Sequence, residues 1–109
     1  MKHGEIYWYP FAAPDKRRPV LILTRNSALR FLTSVTVAPI TTTIRGIPTE
    51  VALGLQDGLA TDCAVNLDNI QTIQKAKLGA FIATLSAEKM LLVKQALHFA
   101  LGLDECGLY

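Results

Sequence analysis

The apolar positions of this chain come in short runs broken every few residues by turn formers, and only the last run has a helical period. Glu5-Ile6-Tyr7-Trp8-Tyr9-Pro10-Phe11 is rich in aromatics and predicts a first strand. Pro10 cannot donate to a ladder, so the strand's end lies at an edge or bends away. After a short loop from Ala12 to Arg18, marked by Pro14-Asp15, the continuous apolar run Pro19–Thr24 predicts a buried strand. Asn26 to Arg30 predicts one helical turn capped by Asn26. Phe31–Pro39 predicts a third strand, and Thr41–Pro48 an ordered polar loop on the surface.

Thr49–Leu53 alternates and leads into the turn Gln56-Asp57-Gly58. Thr61–Leu67 and Asn69–Gln74 predict two further short strands, and Lys77–Leu85 a last one through Ala80, Phe81 and Ile82. Strands so short and closely spaced predict an antiparallel barrel or coiled sheet. Ser86 then caps a helix with Glu88 in its first turn, where the helix dipole favours an acid. Met90, Val93, Leu97 and Leu101 recur at helical spacing, and Gly102 stops the helix. That stripe predicts core packing or a subunit contact. The stretch Asp104–Tyr109 shows no pattern.

Composition narrows the class. At 109 residues, half apolar and 18% charged, the chain is one globular domain with length enough for a single core. Its apolar runs are too short to span a bilayer, and Gly4-Glu5 interrupts any leader at once. Cys63 and Cys106 lack CxxC or His-rich spacing, so the expectation is a cytoplasmic protein with two free thiols. Net charge is only +2, but its distribution is uneven. Residues 1–50 carry all five arginines and two lysines against three acids, whereas residues 51–109 carry four lysines against six acids. Arginine's planar fork matches phosphate, so a cationic first half suits a phosphodiester; arginines scattered over separate solvated surfaces fit the same count.

Two strand ends concentrate the chemistry. Arg18 stands before Pro19, which fixes the chain direction and biases Arg18 toward an extended backbone. Lys16-Arg17-Arg18 is either a phosphate-binding end or a solubilising turn. Thr41, followed by Thr42 and Thr43, either caps its own turn or orients a substrate. With no base nearby to activate it, a hydrogen-bonding role suits Thr41 better than a nucleophilic one. His3 and His98 read as surface or boundary residues, without ligand-spaced acids or thiols to hold a metal. Asp68, in Asn66-Leu67-Asp68-Asn69-Ile70, is a turn former or a site carboxylate. The chain has no Gly-rich phosphate loop and no nucleophile elbow.

Four segments in register resemble the MazF/PemK/Kid toxins of type II toxin–antitoxin systems. They are Gly4-Glu5-Ile6-Tyr7-Trp8, Arg18-Pro19-Val20-Leu21-Ile22, Val37-Ala38-Pro39-Ile40-Thr41 and Asp68-Asn69-Ile70-Gln71-Thr72-Ile73, followed by a closing helix that ends in Leu101-Gly102-Leu103. The match runs over about residues 3–103. It implies a toxin domain over residues 1–103 with a tail at 104–109, folded as an SH3-like coiled antiparallel barrel with a C-terminal helix, usually a homodimer. It implies sequence-selective cleavage of single-stranded RNA without metal or cofactor, leaving a 2′,3′-cyclic phosphate and a 5′-hydroxyl. A cognate antitoxin would inhibit it by laying a flexible segment over the site. The implied catalytic pair is Arg18 and Thr41, with Asp68 contributing in some members. Lys16, Arg17, Thr42 and Asn69, beside those positions, become the RNA-binding candidates.

Two departures bear on the cut sequence. The first loop, Ala12–Arg17, is shorter than in many members and lacks their histidine and glutamate, and Asn69 stands where many have glutamine. Two alternatives stay open. One is a gyrase poison of the same fold, which needs a specific C-terminal helix end that Asp104–Tyr109 does not resemble. The other is a non-catalytic SH3-like binding module.

Overall fold

Val20, Leu21 and Ile22 are each 0% exposed, so the strand that carries them has both faces covered and runs through the middle of the molecule. The computed structural model describes residues 1–12 and 16–103. Its strands are β1 (Glu5–Pro10), β2 (Arg17–Ile22), β3 (Ser34–Thr41), β4 (Glu50–Leu53), β5 (Cys63–Asn66), β6 (Gln71–Gln74) and β7 (Phe81–Thr84). A one-turn helix α1 (Asn26–Leu29) follows β2, and the helix α2 (Ala87–Ala100) ends the described chain. The sheet order is β4-β5-β3-β2-β1-β7, antiparallel at every pairing, with β6 also on β3.

One edge of β3 is shared by two strands. Its first half, Ser34–Val37, pairs with β6, and its end, Ile40 and Thr41, pairs with β5. Ala38 and Pro39 fall between those pairings, opposite the 3₁₀ turn Leu67–Asn69 that joins β5 to β6. Proline has no N–H to donate, and the ladder is interrupted where Pro39 stands. That explains a proline inside a central strand.

Alternation along the strands sorts the core into two layers. Ile6, Leu21, Ala38, Ile40 and Val65 face α2, whose Val93 and Ala96 are buried against them. Val20, Ile22, Val35, Val37 and Ile73 face the other way and pack with Leu29, Tyr7, Tyr9 and Phe11. The sheet curls into a half-barrel: the turn after β4 comes back against β7, so close that a Cβ on Gly58 would lie 2.7 Å from Ala83 Cβ. This is the coiled antiparallel sheet with a closing helix that the strand spacing predicts. No helix among the described residues is long and apolar enough to cross a membrane.

Several boundaries differ from expectation, each for a physical reason. β2 begins at Arg17, so Arg18 is inside the ladder, paired with Tyr9. The third strand begins at Ser34 because the chain uses residues 30–33 to leave α1, which exposes Phe31 and Leu32. Asn26 does not cap α1; its Oδ1 accepts the His3 N–H at 2.8 Å, and Arg25 holds the cap position without a side-chain bond. Ser86 does cap α2, its Oγ accepting the Lys89 N–H at 3.1 Å. The inward stripe of α2 is Met90, Val93, Ala96, Leu97 and Ala100, while Leu101, assigned to it by spacing, is exposed. The centre of the short first loop (residues 13–15), Cys106 and the rest of the tail 104–109 lie outside the described residues.

Candidate active site

Carrying the β2–β3 register (Val20 with Pro39, Leu21 with Ala38) two residues further puts Arg18 across from Thr41. Both belong to the face of Val20, Ile22 and Val37, at the end where the apolar positions run out. Lys16, with a left-handed φ of 57°, turns the chain into β2, and its carbonyl accepts the Phe11 N–H at 3.0 Å. From there alternation sends Arg17 and Arg18 to opposite faces of the sheet. Thr42 and Thr41 separate in the same way.

Two grooves result, and Arg18 and Thr41 line both. The first, about 350 Å³, lies on the Arg18 face between Phe11, Pro39, Arg45, Glu50, Asn66, Asn69 and Gln71. It is rich in hydrogen-bonding groups. The second, about 500 Å³, lies on the opposite face; its floor is Trp8, Pro19, Ile40, Leu59, Cys63 and Ile82, and its mouth holds Lys16, Arg17 and Thr42. It is mostly apolar. The Arg17 guanidinium sits over the Trp8 ring, 4.7 Å from its centroid.

Hydrogen bonds tie down the rim of the first groove. Glu50, at the start of β4, is paired with Asn66, and its Oε1 accepts the N–H groups of Arg45 at 2.9 Å and Gly46 at 3.1 Å. This holds the loop 42–49, with Gly46 in the left-handed region at φ 66°. Thr41 Oγ1 accepts the Thr43 N–H at 3.1 Å, so it keeps its own hydrogen to donate elsewhere. Asp68 lines neither groove. Its Oδ2 accepts the hydroxyl of buried Thr49 at 2.6 Å, and its N–H donates to Asn66 Oδ1 at 3.0 Å. Asp68 therefore stitches the turn bearing Asn66 and Asn69 to the loop before β4.

The structure thus brings Arg18 and Thr41 together and divides the other candidates. Lys16, Arg17 and Thr42 border the apolar groove, and Asn69 the polar one. His3 and His98 border a separate cleft beside α2, where His3 Nδ1 lies 3.0 Å from the Leu23 carbonyl. Of the three aromatics in β1, only Trp8 lines a groove. Tyr7 packs edge-to-face on Phe81 and Tyr9 on Phe11. Burial pushes the Cys63 thiol up, and nearby Asp57 and Asp62 add to the effect, so this cysteine is a floor residue rather than a nucleophile. Among the described residues no three His, Cys, Asp or Glu side chains gather as a metal-binding set.

Sequence reasoning missed Arg45, Glu50, Asn66 and Gln71. Arg45-Gly46 stood in a segment read as a surface loop, and only the pairing of β4 with β5 brings it to the site. An Arg-Gly step shortly before a Glu that opens a strand was the signal available.

The family model for "PemK-like, MazF-like toxin of type II toxin-antitoxin system" matches residues 2–101. The chain belongs to that family. It is 48% identical over 90 residues to Endoribonuclease MazF3 of Mycobacterium tuberculosis, covering 83% of this chain and 87% of the relative. Among solved structures it matches Mycobacterium tuberculosis toxin MazF-mt6 with TM-score 0.83 and 43% identity, over 90% of this chain and 96% of the other. It also matches a mycobacterial endoribonuclease in complex with its cognate antitoxin, with TM-score 0.84 and 35% identity, over 94% and 96% of the two chains.

Proposed function

We propose that this chain is the toxin of a toxin–antitoxin pair, an endoribonuclease that cuts single-stranded RNA at a phosphodiester held by Arg18 and Thr41. The family and the relative named an endoribonuclease support the activity. The observation that carries the site is that Arg18 and Thr41, from neighbouring strands, are the two residues common to both grooves.

The RNA supplies its own nucleophile. Its 2′-oxygen attacks the adjacent phosphorus, the bond to the 5′-oxygen breaks, the 2′ proton leaves to water and the 5′-oxygen takes one up. The products are a 2′,3′-cyclic phosphate and a 5′-hydroxyl, and no metal is needed. The difficulty is the extra negative charge on the phosphorane-like transition state. Arg18 meets it with two fixed N–H donors and a full positive charge. A guanidinium offers donors and no acceptor, so Arg18 stabilises charge rather than acting as a base. Thr41 donates its hydroxyl hydrogen to a phosphate oxygen. Asn66, Asn69 and Gln71 offer amide donors and acceptors to base edges in the polar groove. Asp68 acts at one remove, by holding the turn that carries the two asparagines.

The catalytic unit is residues 1–103, working as a homodimer in the cytoplasm until a cognate antitoxin covers the grooves. Mixed-sequence RNA incubated with the purified protein in excess EDTA, followed by sequencing of the new 5′ ends, tests the reading. The expected result is a small set of cuts sharing a sequence, with 5′-hydroxyl and cyclic-phosphate termini. Strict dependence on magnesium would sink the mechanism. Binding without products would favour the module reading, and DNA breaks without RNA cuts would favour the gyrase one.

A further inference from the structure

The apolar groove contains more recognition chemistry than a phosphate clamp requires. Its mouth carries Lys16, Arg17 and Arg18, and among the described residues no acid lines it. Asp57 and Asp62 stand near enough to raise the Cys63 thiol, yet neither belongs to the groove wall. Its entrance presents a guanidinium lying over an indole face, 4.7 Å from the ring centroid, so that a cation and an aromatic surface adjoin. Planar stacking surfaces beside backbone-tracking cations suit an unpaired nucleobase on its sugar-phosphate chain. The groove is also continuous with the catalytic pair, because Arg18 and Thr41 form the ridge between it and the polar groove.

We propose that the bound RNA crosses the sheet at this ridge, so that the nucleotides on the two sides of the cut phosphate occupy opposite faces. One flank lies in the polar groove among Asn66, Asn69 and Gln71. The other enters the apolar groove, where a base stacks on the Trp8–Arg17 platform and Lys16 meets its phosphate. A strand bent over a ridge has its central phosphate pushed toward Arg18 and Thr41, which couples flank binding to placement of the reacting bond. The two halves of the recognised sequence are then read by different physics: hydrogen bonding on one face, stacking on the other. Stacking tolerates any base, so the flank on the Trp8 side is the less sequence-selective half.

This inference rests on the proposed endoribonuclease function, and the chain supplies its own probe, since Trp8 is the only tryptophan. The ligand is a strand bearing the cut site found by 5′-end sequencing, with a single 2′-deoxy nucleotide at the scissile position and a dye at one end. Binding is read by the dye's anisotropy and occupancy of the apolar groove by Trp8 emission. The full strand is expected to change that emission. Removing the nucleotides on one side of the cut abolishes the change, and removing those on the other leaves it. Trp8→Ala weakens binding roughly tenfold or more, whereas Trp8→Phe retains most of it. Arg17→Gln, which removes the guanidinium over Trp8, raises KM severalfold, and its melting temperature measured alongside separates lost binding from lost fold. Binding and cleavage with unchanged Trp8 emission would overturn the inference alone, as would equal responses to both truncated strands. Absence of both binding and cleavage overturns the proposed function and this inference together.

Discussion

The polar and apolar grooves are opposite faces of the same strand ends, yet they are built in contrasting ways. The polar groove is framed by a loop that holds its shape through hydrogen bonds: Glu50 gathers the Arg45 and Gly46 amides, and Asp68 joins its turn to Thr49. The apolar groove is the open end of the barrel core, and its walls are shaped by packing that continues into Leu59, Cys63 and Ile82. Changes to the first should therefore reach activity with little cost in stability, and changes to the second should reach stability first. Arg18 and Thr41 belong to both, so they escape that division.

The largest expected effect is at the shared ridge. Arg18→Ala removes the positive charge proposed to face the transition state, and a loss of about 10²–10³ in single-turnover cleavage is expected. Arg18→Lys recovers only part, because an ammonium cannot present two parallel N–H donors. Melting both variants alongside the parent separates a loss of fold from a loss of chemistry. Cleavage by Arg18→Ala at the parental rate would remove Arg18 from the chemistry.

Next comes a pair of glycines, one serving each region. Gly58 has φ 91°, and an added Cβ would meet Ala83 Cβ at 2.7 Å. Gly58→Ala combines backbone strain with a clash at the barrel's closure, and the expected cost is about 2–4 kcal/mol. Gly46 has φ 66° with nothing within 4 Å of an added Cβ. Gly46→Ala therefore carries only the left-handed strain, about 1–2 kcal/mol, much of which an exposed loop relaxes. Thermal melting of both variants tests the contrast. Equal losses would mean that packing does not shape the apolar side more than the polar side.

A smaller effect is expected at Glu50. Glu50→Ala releases two charge-assisted hydrogen bonds and lets Arg45 wander, for a loss of roughly tenfold in kcat/KM and little change in melting temperature. Glu50→Gln keeps an acceptor oxygen for the same N–H groups and should fall between the two. If Glu50→Ala cleaves normally but melts well below the parent, the loop is structural only.

These cases also separate what the sequence made legible from what it did not. Alternation and run length were enough for the strands and the curled sheet, because half-buried strands must repeat every two residues. Ser86 and Gly102 marked the helix ends through local chemistry. Arg18 and Thr41 stood out as candidates because each ends an apolar run. The run ends left a charged turn and a turn cap equally open, and only the family resemblance singled out the pair. Glu50, Arg45 and Asn66 were not visible, since their meeting depends on β4 and β5 pairing and on the three-residue register break opposite Pro39. Asn26 failed as a cap for the same reason: His3, twenty-three residues away, claims its oxygen. Local patterns cannot report a competitor that distant.

The smallest expected effect lies in β1, where neighbours Tyr7 and Trp8 go to opposite faces. Tyr7 donates its hydroxyl to Glu5 Oε1 at 2.9 Å and lines neither groove. Burial, then the hydrogen bond and charge of Glu5, push its phenol from 10.0 up to about 12. A phenol whose folded pKa lies above its unfolded one favours the fold while it keeps its proton. Its contribution is therefore complete below pH 10 and is lost as pH rises through about 12. Denaturant titrations at successive alkaline pH values should show stability falling across that window, and Tyr7→Phe should flatten the fall. Trp8→Phe should leave it unchanged, since Trp8 has no proton to lose there. A Tyr7→Phe protein that loses stability as steeply as the parent would remove the Tyr7–Glu5 bond from the account of the polar face.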